Sequence, residues 1–305
     1  MKRGGRRILA EQSARSRHTP QVLLGGKETH SAMKNMQKLF VLLAVTLAML
    51  ATTGCSKLLA RDHLNKGVQA YKNAKYEQAI DHFQQAVKLD PSLINARLYL
   101  ATAYAQQYIP GADTPDNNRM AEQAIDQYQQ VLQVDPKNIN SIKGIAYLYL
   151  QQKKFEKAKE YYKKASEADP NDPEPYYSVA VIDWTQTYQP RQEERAKLGM
   201  KPDDSLPAKD KKVCAMVREK NSANIQEGID NLNKALQLRP DYDDAMAYMN
   251  LMYRERADVQ CDDKDARAAD LKTADEWVDK TMATKKAKAE KQPGSQGIVM
   301  DQNQQ

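Results

Sequence analysis

Four prolines close four similar phrases in this chain, and their recurrence limits what it can fold into. The recurring residues are Ala79, Phe83, Ala86 and Pro91; Ala124, Tyr128, Val131 and Pro136; Ala158, Tyr162, Ala165 and Pro170; and Gly228, Leu232, Ala235 and Pro240. Within each set the steps are four, three and five residues. The first three members therefore share one helix face. The proline marks the end of that helix, because it has no N–H with which to continue the ladder. Self-similarity of this kind means stacked units, each too small to bury its apolar face alone. The fold class is all-α, and the repetition argues against an enzyme.

Aligned on these phrases, the chain resembles the tetratricopeptide repeat, a unit of about 34 residues in two antiparallel helices, A and B. Repeat one, 60–93, carries Gly67, Tyr76, Ala79, Phe83, Ala86 and Pro91 where that family has small residues, aromatics and proline. Repeat three, 139–172, matches with Ala146, Tyr149, Phe155, Ala158, Tyr162, Ala165 and Pro170. Small residues let A and B approach closely, and the aromatics fill the gap beside them. The resemblance implies a right-handed superhelical solenoid spanning 55–284, with five repeats at about 60–93, 94–138, 139–172, 173–242 and 243–284.

Successive closing prolines stand 45, 34 and 70 residues apart, so repeats two and four carry insertions. In repeat two the excess falls between Tyr104 and Ala124, where Thr114 and Pro115 read as N-cap and first helical residue. In repeat four it falls between Asp183 and Gly228. Two unmarked repeats are disfavoured there, because 189–212 lacks the apolar spacing of a helix pair and holds Pro190, Pro202 and Pro207. A long insertion in the A–B turn, about 188–220, is expected instead. Repeat five interrupts its helices between Arg254 and Lys264; its B helix carries Ala274, Trp277 and Met282. All three insertions lie in A–B turns, along one edge of the stack. Residues 285–305 are rich in Lys and Gln with few large apolar side chains, and are expected to be a disordered tail.

The first 54 residues read differently. Met33 to Lys38 is a basic start, Leu39 to Leu50 an apolar run of twelve, and Ala51 to Gly54 a small-residue exit before Cys55. That is a secretory layout, too short to span a membrane comfortably. Its Gly54-Cys55-Ser56 end resembles a bacterial lipoprotein signal, although Thr52 stands where such signals usually have Leu. The resemblance implies lipid on Cys55 and, from Ser56, sorting to the outer membrane facing the periplasm. Residues 1–32 are too long and too basic for an ordinary leader start, so translation is expected to begin at Met33 or Met36. An inner-membrane anchor or a soluble periplasmic protein are the alternatives. The net charge of +6 belongs to this leader: it holds nine of the 46 basic and two of the 40 acidic residues, leaving 37 against 38. No basic face remains to suggest nucleic acid.

No catalytic constellation stands out, and no cofactor is expected. His18 and His30 precede the apolar run, and His63 and His82 have no Cys or Glu at metal-ligand spacing. The groups Asp241, Asp243, Asp244 and Asp262, Asp263, Asp265 lack the Gly and closing Glu of a calcium loop. They read as helix starts favoured by the dipole. There is no Gly-rich phosphate loop.

By resemblance, the A helices of such an array line a concave groove for an extended peptide or partner helix. The matching positions here are Tyr71, Leu98, Tyr99, Lys143, Tyr147, Tyr177, Trp184, Tyr248 and Arg254. Aromatics make effective interface anchors, though Tyr99 and Tyr248 could equally be core between A helices. The Lys and Asn with which some relatives clamp a chain-terminal carboxylate are replaced by Leu64 and Val68. The favoured function is a non-enzymatic scaffold in the bacterial envelope, similar to repeat lipoproteins of pilus, secretion or outer-membrane assembly. A glycan- or peptidoglycan-binding module, or a regulatory subunit of an envelope enzyme, are the alternatives. Cys214 and Cys261, 47 residues apart, fall in neighbouring turns on one edge of the stack. An oxidising compartment would favour a disulfide between them.

Overall fold

The computed structural model describes residues 33, 36, 38, 39, 55–201 and 204–291. The chain divides into two units, Met1–Ser56 and Lys57–Gln305. In the first, Met33, Met36, Lys38, Leu39, Cys55 and Ser56 are helical. Most of the expected signal, 40–54, and the residues from 292 onward lie outside the described residues.

The second unit is a stack of helix pairs. Repeat one is α1 (57–72) with α2 (Tyr76–Leu89), and repeat two is α3 (Ile94–Gln107) with α4 (Pro115–Val134). Repeat three is α5 (Ile139–Gln151) with α6 (Phe155–Ala168). Repeat four is α7 (Pro173–Lys197), a single turn α8 (Leu206–Lys209) and α9 (Lys211–Leu238). Repeat five is α10 (Asp243–Asp258) with α11 (Lys264–Lys291). No described residue is in a strand.

The recurring residues build this stack as their spacing requires. Ala79, Phe83, Ala86, Ala124, Tyr128, Val131, Ala158, Tyr162, Ala165, Leu232 and Ala235 are all buried. Glycine is needed where an aromatic presses on the backbone: a Cβ on Gly67 would lie 2.5 Å from Phe83 Cε1, and one on Gly144 2.6 Å from Tyr128 Cε2. At the closing turns, the backbone N–H groups of Asp90, Asp135, Asp169 and Arg239 donate to the fourth residue before them, and the proline follows. The Asp90 carboxylate also accepts from Ser92 N at 3.1 Å, and that of Asp169 from Asn171 N at 3.1 Å. Those bonds reverse the chain into the next A helix. In repeat two Thr114 caps α4 by accepting from Asn117 N at 3.3 Å, with Pro115 in the first turn.

Two expectations need correction. Repeat four is indeed one helix pair, but its insertion is largely helical. Helix α7 runs through Pro190 to Lys197, and α9 starts at Lys211. Periodicity missed the extension of α7 because the buried face of its added turns is ionic: Arg191 and Arg195 are buried there, against Glu255 and Asp258 of α10. The tail expected to be disordered from 285 is helical through Lys291. Its Lys, Ala and Glu residues are strong helix formers. Lys288 Nζ donates to Asp243 Oδ1 at 2.6 Å, and Thr284 Oγ1 to Met246 Sδ at 3.4 Å, so these turns dock on α10.

Candidate partner-binding surface

The A helices carry all nine residues singled out for binding, and they fall into three groups. Tyr177, Trp184 and Tyr248 come together. The Tyr177 ring lies 5.5 Å from Tyr248 edge-on, and Trp184 lies 5.6 Å from Tyr248 in the same manner. The cluster extends to Tyr242, 5.0 Å from Tyr177, and to Tyr188, stacked 4.7 Å from Trp184. All three predicted members are half-buried against the core of repeats four and five. Burial, then the neighbouring Tyr248 and the Asp244 carboxylate, push the Tyr177 hydroxyl far above its usual pKa. Burial likewise pushes Tyr242 up to about 12, so these hydroxyls stay neutral donors.

Tyr99 and Tyr147 form the exposed group. Tyr99 is 41% exposed with its ring stacked 5.6 Å from Phe83, and Tyr147 is 47% exposed. Tyr71 and Leu98 are half-buried and packed against the core of the first repeats, Tyr71 meeting Tyr76 edge-on at 5.3 Å.

The two cations make the third group, and both are engaged. Lys143 Nζ on α5 donates to Asp172 Oδ2 at 3.0 Å and also pairs with Glu174, tying repeat three to the start of α7. Burial alone would lower its pKa, but the bonds to Glu174 and Asp172 outweigh it and hold the ammonium above its ordinary value. Arg254 bonds Asn250 Oδ1 at 2.8 Å and Asp275 Oδ1 at 2.7 Å.

Two ionic networks were not legible in the sequence. On α6, Lys159 Nζ bridges Asp183 Oδ1 and Glu227 Oε2, each at 2.6 Å. Asp183 is fully buried with Oδ2 unpartnered, and burial pushes its pKa up to about 7 against the pull of Lys159. Between α7 and α10, Arg191 Nη2 donates to Glu255 Oε1 at 2.7 Å and Nη1 to Asp258 Oδ2. Arg195 Nη1 reaches the same Asp258 oxygen at 3.0 Å, and its two terminal nitrogens also donate to the Asp204 and Lys201 carbonyls. Burial, opposed by Arg191, pushes Glu255 up to about 7. Only an exposed signal such as i,i+4 charge spacing is visible in sequence, and neither network has it.

Cys214 at the start of α9 and Cys261 in the α10–α11 turn have sulfurs 2.04 Å apart, in disulfide geometry, with Cα atoms 5.7 Å apart. Both are buried. Cys55 is an exposed free thiol. Among the described residues, no helix is long and apolar enough to cross a membrane.

Helix pairs closed by proline, stacked through small residues and aromatics, define a tetratricopeptide-type solenoid. Comparison with known families agrees: residues 60–93 and 118–181 each match the tetratricopeptide repeat. The chain carries tetratricopeptide repeats. No curated protein matches it in sequence. Among solved structures, it is similar to a crystal structure of MamA protein at 12% identity and a TM-score of 0.51, covering 77% of this chain and 96% of that one. A second MamA crystal structure aligns at 12% identity and a TM-score of 0.50, covering 73% and 96%. At that identity the likeness is one of fold.

Proposed function

We propose that this protein is a non-enzymatic interaction scaffold of the bacterial cell envelope. It holds a partner peptide or helix along the aromatic residues of its A helices. The observation that carries this is the pair of exposed rings, Tyr99 and Tyr147, on A helices of consecutive repeats, with Tyr177, Trp184 and Tyr248 continuing the series. Rigid aromatic side chains contribute contact area at low entropic cost and dominate many interfaces. Trp184 is stacked within the fold, so the clean test uses the two exposed tyrosines. Tyr99→Ala with Tyr147→Ala should weaken partner binding by about 2–4 kcal/mol with helix content unchanged. Equal affinity in the folded double variant would remove the groove from this account.

The envelope location rests on the leader sequence. Lipid on Cys55 would tether the stack to a membrane, most directly the outer membrane facing the periplasm. Mass spectrometry of the mature N-terminal peptide tests it: a diacylated or triacylated Cys55 is expected, and an unmodified Cys55 or a retained Leu39–Leu50 run contradicts it.

A further inference from the structure

His63 on α1 and His82 on α2 face each other across the first helix pair, 19 residues apart in sequence, with Nδ1 atoms 3.2 Å from one another. Their ring centroids are 5.4 Å apart and their planes tilted by 48°. Both are half-buried, and an open cleft of about 370 Å³ lined by Asn65, Lys66, Gln69 and Gln78 adjoins His82. The carboxylate of Asp62, next to His63 in sequence, is held by Lys66 at 2.7 Å. The electrostatic influence of both histidines also reaches Asp62.

Two neutral imidazoles at this distance can share one proton, one Nδ1–H donating to the other lone pair. The same placement suits a shared metal ion. With metal–nitrogen bonds of about 2.0–2.1 Å, a tetrahedral angle sets the two nitrogens roughly 3.3–3.4 Å apart, and a right angle about 2.9 Å. The observed 3.2 Å falls between these. Imidazole is a preferred ligand for zinc, copper and nickel, and an open cleft adjoins the His82 side of the pair.

We propose that His63 and His82 form a two-histidine site for a divalent transition-metal ion. The ion bridges the two Nδ1 atoms and clips α1 to α2. Among the described residues no group of three or more His, Cys, Asp or Glu side chains is placed to hold a metal, so the pair supplies two ligands and leaves the others to solvent or to a donor on a bound partner. Such a site exchanges its ion readily, unlike a closed four-ligand structural site.

The test is calorimetric titration of the full chain with zinc sulfate. His63→Ala and His82→Ala should each remove one binding event or weaken it at least about tenfold, since losing even an outer-shell partner costs that much. His18, His30 and Cys55 provide a background that both variants share with the parent. A second pair, His63→Asn and His82→Asn, guards against unfolding, because an amide can restore the hydrogen bond but is a poor metal ligand. Zinc binding lost in these folded variants supports the site. Unchanged stoichiometry and affinity in every folded variant overturns it and leaves a hydrogen-bonded pair.

Discussion

Repeats one to three and repeats four and five solve the same packing problem with different chemistry. In the first three repeats the buried polar residues, among those described, are the neutral Asn117 and Ser141. The core there is alanine, aliphatic and aromatic, with Phe83 and Tyr128 seated against glycine. The last two repeats bury Asp183, Arg191, Arg195, Glu255, Asp258 and Asp270, and join two turns through Cys214 and Cys261. Their A and B helices are also longer, 25 and 28 residues in repeat four against 13 and 14 in repeat three. The contrast shows that a repeat can be lengthened by turns fixed through ion pairs and a covalent bond, alongside a few added apolar contacts such as Leu206 and Val217. Buried ion pairs contribute geometry more dependably than net stability, because desolvation offsets much of their attraction.

The largest expected effect comes from removing one partner of the buried network. Arg191→Met leaves Glu255 facing an uncompensated site and should destabilise repeats four and five by about 3–5 kcal/mol. Hydrogen exchange resolved by helix checks this: α7 and α10 should lose protection while α1 to α4 keep theirs. Uniform loss would mean the stack unfolds as one unit and the two halves are not distinct.

Next in size is the disulfide. Replacing both Cys214 and Cys261 with Ala should cost about 4 kcal/mol at most, from the entropy of closing a loop of that length. Thermal unfolding with and without reductant measures it. Alkylation of both thiols in native protein taken from its own cells, without reductant, would show that no bridge forms there.

A smaller effect probes the first half. Gly67→Ala gains helix propensity of up to about 1 kcal/mol. It also drives a methyl group into the Phe83 ring, for a net loss of about 1–2 kcal/mol. A more stable variant would show that Phe83 can move aside and that the core of repeat one is loose.

A different readout is a slope with pH. Asp183 and Glu255 each titrate at about 7 when folded, above their ordinary values of 3.8 and 4.5. Between those values the folded chain holds protons that the unfolded chain has released. Their contribution is therefore full below about pH 4 and is lost as pH rises through 7. Asp183→Asn with Glu255→Gln should flatten this part of the stability profile between pH 4.5 and 7 in chemical denaturation. An identical slope in the variant would show that both carboxylates stay ionised when folded.

What the sequence made legible follows the same division. Apolar and small residues recur at helical spacing, so the five pairs, the cap at Thr114 and the halt at each Asp-Pro or Arg-Pro could be read directly. The extension of α7 could not, because Arg191 and Arg195 look like solvent-facing residues until Glu255 and Asp258 arrive from 60 or more positions away. The proposed binding positions could be listed in sequence as A-helix residues. Nothing in the sequence showed that Lys143 and Arg254 would be engaged by Asp172, Glu174 and Asp275. The meeting of His63 and His82 was not legible for the same reason: it is made by the α1–α2 turn, not by a spacing within one helix.

The central claim, that partners bind along the aromatic A-helix face, is tested most directly by site-specific photocrosslinking in intact cells. A benzophenone side chain is placed at Tyr147 on α5, and in a separate variant at Gln129, an exposed residue of the B helix α4. The account predicts a discrete protein adduct from position 147 and none from position 129. Adducts from 129 alone, or equally from both, would contradict it.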